Sequence, residues 1–169
     1  MPVSEPKVLL SEERVRQQPS FAHTAWRVLI VPAVLFTVVG GVDSALTWYP
    51  TDFGRAEWEF GTVTASLNGL PLPVLGLVLL MAAMMSKDSA RGARAVAVVL
   101  AILGFLIVAM GLLYLLTLPQ ALQAAETAGG LSSLGLKKAM VKTAVQLIAY
   151  PAGLFATAWI GWRYTRRSA

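Results

Sequence analysis

Four long stretches of this chain hold no charged residue. They run from Val28 to Val42, from Gly61 to Ser86, from Ala95 to Ala125 and from Thr143 to Trp162. The first continues in apolar character past Asp43 to Tyr49, and the third loses it at Pro119. A helix of about 20 such residues crosses the ~30 Å of hydrocarbon in a bilayer. Water is a poor home for them. Of the 169 residues 56% are hydrophobic and 14% charged, whereas soluble domains carry about 25% charged residues. The pattern predicts an all-α fold, a four-transmembrane-helix bundle with short interfacial segments in its outer loops. Spans are expected at about 26–49, 61–85, 94–118 and 138–162, within a membrane domain of residues 25–163. Residues 1–24 precede it as a mixed-charge cytoplasmic segment, and residues 164–169 follow as a basic tail. The first apolar run is longer than a signal-peptide core, follows a mostly polar segment and lacks a clear A-x-A site, so it reads as a retained helix.

Basic residues set the expected sidedness. Lys7, Arg14, Arg16 and Arg27 precede the first span; Lys87, Arg91 and Arg94 separate the second and third; Arg163, Arg166 and Arg167 follow the fourth. With four spans all of these lie on one side, against Arg55, Lys137, Lys138 and Lys142 on the other. Lys and Arg are retained in the cytoplasm, so both termini are expected there, with the chain in a bacterial inner membrane.

The first outer loop reads WYPTDFGRAEWEFG, from Trp48 to Gly61. Its aromatics suit the headgroup region, as do Trp26 and Trp162 at the opposite face. Two readings remain open. One is an interfacial turn; the other is a docking surface built from Trp48, Tyr49, Asp52, Arg55, Glu57, Trp58 and Glu59. Lys137, Lys138 and Lys142 either snorkel to headgroups or meet an anionic lipid or an acidic partner. Asp43 is the one acid inside an apolar run, and intramembrane acids are functional candidates.

Small residues let membrane helices approach closely. Ala149, Gly153, Thr157 and Gly161 recur every four residues in the last span and predict a tight contact face. Gly40, Gly41, Gly104 and Gly111 are further packing candidates. Pro71 and Pro73 each remove a backbone donor from the second span, and Ser66 and Asn68 are expected to help satisfy the freed carbonyls. Pro119 suits the first position of a new interfacial helix. Gly129–Gly130 would stop that helix, and Ser132 or Ser133 would cap the next.

With no cysteine and only His23, thiolate, iron–sulfur and multi-histidine metal chemistry are excluded. No H-E-x-x-H, G-x-S-x-G or P-loop pattern occurs, and no cofactor is expected. The stretch from Trp48 to Leu80, with its Trp/Glu/Phe-Gly junction and Gly-Leu-Pro-Leu-Pro start to the second span, resembles the HpsJ-like family. These are small four-span bacterial membrane proteins of cyanobacteria and relatives. The resemblance implies a membrane protein tied in name to polysaccharide secretion, and no site residue is carried over. The expected function is that of a non-enzymatic integral membrane accessory subunit. It would pack against other membrane proteins to stabilise or assemble a larger secretory, respiratory or photosynthetic complex. The alternatives are a small transporter or channel-like protein using the broken second helix, and a membrane enzyme using outer-loop carboxylates.

Overall fold

A computed structural model describes residues 21–128 and 130–167. Most of the predicted cytoplasmic segment, residues 1–20, and the last two residues of the tail lie outside the described residues. Every element within them is helical: α1 Phe21–Leu46, α2 Ala56–Gly69, α3 Pro71–Ser86, α4 Ala90–Ala128 and α5 Gly130–Arg167. Helices α1, α4 and α5 are long and apolar enough to cross a membrane, and α2 with α3 adds a fourth crossing if the bent pair is one span. Their surfaces agree with that solvent. Helix α1 exposes Val28, Val31, Val34, Leu35, Val38, Val39, Val42 and Leu46, a continuous apolar face that water-soluble monomers do not carry.

The spine is the α4–α5 pair, which shares the most extensive packing in the molecule. On α4 the inward residues Ala93, Ala97, Leu100, Gly104, Ile107, Gly111 and Tyr114 are spaced alternately four and three apart. On α5 the row is Met140, Thr143, Leu147, Pro151, Leu154, Ala158, Gly161 and Thr165, again in threes and fours. Such spacing keeps one seam facing a neighbour at a shallow crossing angle. A Cβ on Gly104 would stand 2.9 Å from the Phe155 ring, and one on Gly161 would stand 2.9 Å from the Met81 sulfur. Tyr114 fixes the register. Its hydroxyl donates to the Met140 carbonyl at 2.9 Å, and its ring stacks on Phe60 of α2.

The four-residue stripe on α5 is not this seam. Gly161 is buried in it, but Ala149 and Gly153 are exposed, and a Cβ on Gly153 would meet nothing. At 3.6 residues per turn each four-residue step overshoots by about 40°, so three steps wind about a third of the way round the helix. Helix α4 also runs through Pro119 without starting anew. Leu118 and Ala121 still pack on the core, while Pro119 itself is exposed, so its missing hydrogen bond faces outward. Ser132 and Ser133 accordingly lie inside α5 rather than capping it.

Helix α1 is held differently. It packs along α3, touches α2, and packs against neither α4 nor α5. Two glycines make that pairing. A Cβ on Gly76 would stand 2.5 Å from the Thr37 amide nitrogen and 2.8 Å from the Ala33 carbonyl oxygen. A Cβ on Gly40 would stand 2.7 Å from the Pro73 nitrogen. Gly41, one residue on, faces outward and meets nothing within the chain.

A short turn joins α3 to α4. Asp88 adopts φ 56°, a left-handed conformation that Asp tolerates better than most residues. The Ser89 amide bonds back to the Met84 carbonyl and the Asp88 amide to that of Met85, each at 3.0 Å, the six-to-one and five-to-two pair that closes many helices. The Ser89 hydroxyl accepts from the Gly92 amide at 3.3 Å and caps α4. Tyr164 of α5 donates its hydroxyl to Asp88, and Lys87 sits 4.7 Å over the Trp26 ring. The start of α1, this turn and the end of α5 therefore share one end of the bundle, here the turn end; residues 47–55 mark the loop end.

Gly76→Val should lower stability by about 3 kcal/mol, the upper range of overpacking costs, because the new side chain meets backbone. Gly153→Ala should leave stability unchanged or raise it by up to about 1 kcal/mol through helix propensity. Thermal unfolding in one detergent reads both.

Candidate functional site

The bend at Leu70 decides where a site can form. Pro71 and Pro73 lack amide protons, so the carbonyls of Leu67 and Gly69 lose their helical donors. The helix bends by 40° yet stays partly bonded, with Leu70 donating to the Ser66 carbonyl at 3.1 Å and Val74 to that of Leu70 at 3.0 Å. Below the bend α3 packs on α1 as well as on α4 and α5; above it α2 packs on α4 and α5 and barely touches α1. Helix α1 runs unbroken to Leu46. The two directions part, and a cleft of about 500 Å³ opens between α1 and α4 at the loop end.

Its walls come from four places. Helix α1 supplies Ser44 and Ala45, the loop supplies Trp48 and Phe53, the bend supplies Ser66 and Leu70, and α4 lines it from Leu103 to Leu113. Trp48, Phe53 and Trp58 form a roof, each ring within 6.3 Å of the other two. The edge-on contact of Phe53 with Trp58 is the closest, at 5.0 Å. Ala45, Leu106 and Ala109 are exposed, so the mouth opens sideways on the flank of the bundle. Two serines interrupt the apolar lining, but their hydroxyl oxygens are closed off from the open cleft. The hydroxyls of Ser44 and Ser66 are buried and have no hydrogen-bond partner, and Ser66 is only 4% exposed. Ser66 thus leaves the carbonyls freed by the prolines alone, and Asn68 points out of the bundle.

Loop charges hold the roof in place. Asp52 pairs with Arg55 at 2.9 Å. The Glu59 carboxylate accepts from the Gly54 amide at 2.9 Å, reaching back across the start of α2 as capping-box glutamates do. Gly54 has φ 95°, a conformation natural to glycine. Glu57 is exposed in the first helical turn, where a negative charge complements the helix dipole. Tyr49 is the most exposed aromatic of the loop. Asp43 sits below, its carboxylate oxygen 3.2 Å from where a Cβ on Gly69 would be; glycine there lets α1 lie against the bend.

The sequence-predicted residues therefore divide. Trp48, Trp58, Asp52, Arg55 and Glu59 come together as roof and supports, with Asp43 and Gly69 beneath. Lys137, Lys138 and Lys142 lie exposed on α5, outside the cleft. Among the described residues no three His, Asp or Glu side chains gather as a metal site. Sequence reading missed the cleft. Its α4 wall is plain leucine, isoleucine, alanine and methionine, indistinguishable in sequence from a lipid-facing stripe. Gln146 of α5 was missed as well; its side-chain oxygen is buried without a partner, and a lone amide in an apolar run was the available signal.

No family model, curated protein or solved structure matches this chain. The resemblance at residues 48–80 is thus neither supported nor opposed by comparison.

Glu59→Ala should cost about 1 kcal/mol, as capping losses do, while Glu57→Ala should change stability by less than about 0.5 kcal/mol. Unfolding midpoints of the two variants in matched detergent check this.

Proposed function

We infer that this chain is a non-catalytic subunit of a bacterial inner-membrane assembly, working by lateral and loop-end contacts with other membrane proteins. In this reading the bent α2–α3 pair is one span and the bundle crosses four times. Both termini face the cytoplasm, because Arg91, Arg94, Arg163 and Arg166 gather at the turn end. Arg94 lies 5.6 Å over the Trp162 ring and Arg163 lies 5.5 Å over that of Trp159, a pairing of cation and aromatic suited to a headgroup boundary.

The observation that carries the reading is an overhang. Beyond Leu118 helix α4 continues to Ala128, a further ~15 Å at helical rise, and α5 begins at Gly130 beside it. At the loop-end limits of the two candidate spans, Leu122 and Leu134 are exposed. In this reading the two leucines mark the edge of the bilayer, where a partner rather than lipid covers them. The acidic loop and the three lysines at the root of the hairpin supply charge for the same encounter. Membership of a polysaccharide-secreting assembly is the version that the resemblance at residues 48–80 suggests.

Co-purification after mild extraction should return a partner with the wild-type chain and lose it, by tenfold or more, with Leu122→Asp/Leu134→Asp at unchanged unfolding midpoint. A lone monomer, or equal recovery with both chains, would refute the proposal. The chain has no cysteine, so single replacements report sidedness cleanly. Glu57→Cys should react with an impermeant maleimide in spheroplasts, and Arg91→Cys only after permeabilisation.

A further inference from the structure

We propose that the groove between α4 and α5 at the turn end seats one anionic glycerophospholipid, with its phosphate on Arg94 and Arg163 and one acyl chain along the groove. The proposal rests on the membrane-spanning reading above, but not on the existence of a protein partner.

Two independent observations meet at this place. The first is the groove itself, a space of about 400 Å³. Helix α4 walls it with Ala97, Val98 and Ala101, and α5 with Phe155, Trp159 and Trp162. Alanine on one side and broad rings on the other leave a channel rather than a filled seam. From Trp162 to Phe155 it spans seven residues, ~10 Å at helical rise. That lies within the ~15 Å that one leaflet contributes to a ~30 Å hydrocarbon core. Phe155 stands edge-on to Phe105 at 5.1 Å and marks the inner end. Val98 and Trp159 are exposed, so the groove opens on the flank of the bundle and a chain can enter it sideways.

The second observation is charge at the rim. Arg94 lies one turn before Ala97, and Arg163 directly follows Trp162. On two antiparallel helices both positions fall at the turn-end edge of the groove. Each guanidinium is drawn onto a ring that lines it. Arg94 crosses from α4 to lie 5.6 Å over Trp162, and Arg163 reaches back along α5 to lie 5.5 Å over Trp159. A ring face attracts a cation without neutralising it. Among the described residues the one ion pair is Arg55 with Asp52, so neither arginine meets a carboxylate there. Asp88, the acid nearest to Arg94 in sequence, accepts from Tyr164. Arg91 and Arg166 stand one turn farther out on the same two helices and add to the positive field.

Together the two observations name the occupant. Guanidinium forks match phosphate oxygens, and basic pockets between membrane helices on the cytoplasmic side suit anionic headgroups. Free phosphate would answer the arginines and leave the groove unfilled. Detergent or a neutral lipid would fill the groove and leave the charges unanswered. A zwitterionic lipid brings its own ammonium to an already positive rim. An anionic phospholipid answers both, with headgroup and chain in the same order as rim and groove.

The test uses the full chain reconstituted in vesicles of equal parts phosphatidylglycerol and phosphatidylethanolamine, extracted in mild detergent and read by native mass spectrometry. One phosphatidylglycerol per chain should be retained, about tenfold or more over phosphatidylethanolamine. Arg94→Gln should cut that retention about fivefold and Arg94→Gln/Arg163→Gln about 25-fold, the worth of one and two basic residues at an anionic surface. Arg27→Gln removes one charge at the same end, but from α1, which packs against neither α4 nor α5; it should change nothing. Val98→Trp, exposed in the groove wall, should abolish retention, while Ile148→Trp, exposed elsewhere on α5, should not. Helix content by circular dichroism should be the same for all variants. Equal retention of the two lipids, an equal loss with Arg27→Gln and Arg94→Gln, unaltered retention in a folded Val98→Trp chain, or a folded wild-type chain that keeps no lipid would each overturn the proposal. A chain that stays soluble without detergent would instead overturn the membrane reading beneath it.

Discussion

The backbone-to-backbone approach of α1 and α3 governs the rest of the molecule. Hydrophobicity does not press two helices together in lipid, so close packing and hydrogen bonds must. Here Gly76 admits the backbone of Ala33 and Thr37, and Gly40 admits the Pro73 ring. Ala33 is fully buried in the joint, and Thr37 turns its hydroxyl back to the Ala33 carbonyl at 2.7 Å, which leaves no polar atom loose at the crossing. Because this joint holds α1 to α3, and α1 packs on neither α4 nor α5, the position of the first helix follows that of the third.

The bend turns this local fact into an architecture. Two prolines within three residues make α2 and α3 diverge at Leu70. Both halves of the broken helix pack on the α4–α5 spine, but α3 alone also carries α1. The space left between is the cleft, and the aromatic loop has to bridge it to connect α1 to α2. The clustering of Trp48, Phe53 and Trp58, and the Asp52–Arg55 and Glu59–Gly54 contacts that steady them, thus follow from topology. An exposed ion pair of this kind contributes little to stability; its role is to set the loop's shape.

Much of the frame could be read from the residues. Apolar runs located α1, the bent pair and most of α4 and α5, and Asn-Gly-Leu-Pro-Leu-Pro marked the bend. Gly104 and Gly111, seven apart, lie on the α4 seam because seven residues are nearly two full turns. The four-residue stripe from Ala149 misled because four residues are more than one turn, an error that grows with each repeat. Pro119 misled because a proline on an outward face removes a bond that water or headgroups can replace, while Tyr114, Leu118 and Ala121 keep the inward face packed. The cleft was not legible at all. It arises from where helices fail to meet, and no residue type signals an absent contact.

The two rods of the spine carry unequal apolar lengths. On α4 the apolar stretch from Ala95 to Leu118 is ~36 Å long, whereas on α5 Thr143 to Trp162 gives ~30 Å. Packed side by side, they ask a bilayer to be thicker along one flank of the protein than along the other. Tilt, local thickening or a neighbour with a matching belt must absorb the difference. In a bilayer such a lopsided girdle would bias how the molecule turns toward its neighbours before any specific contact is made.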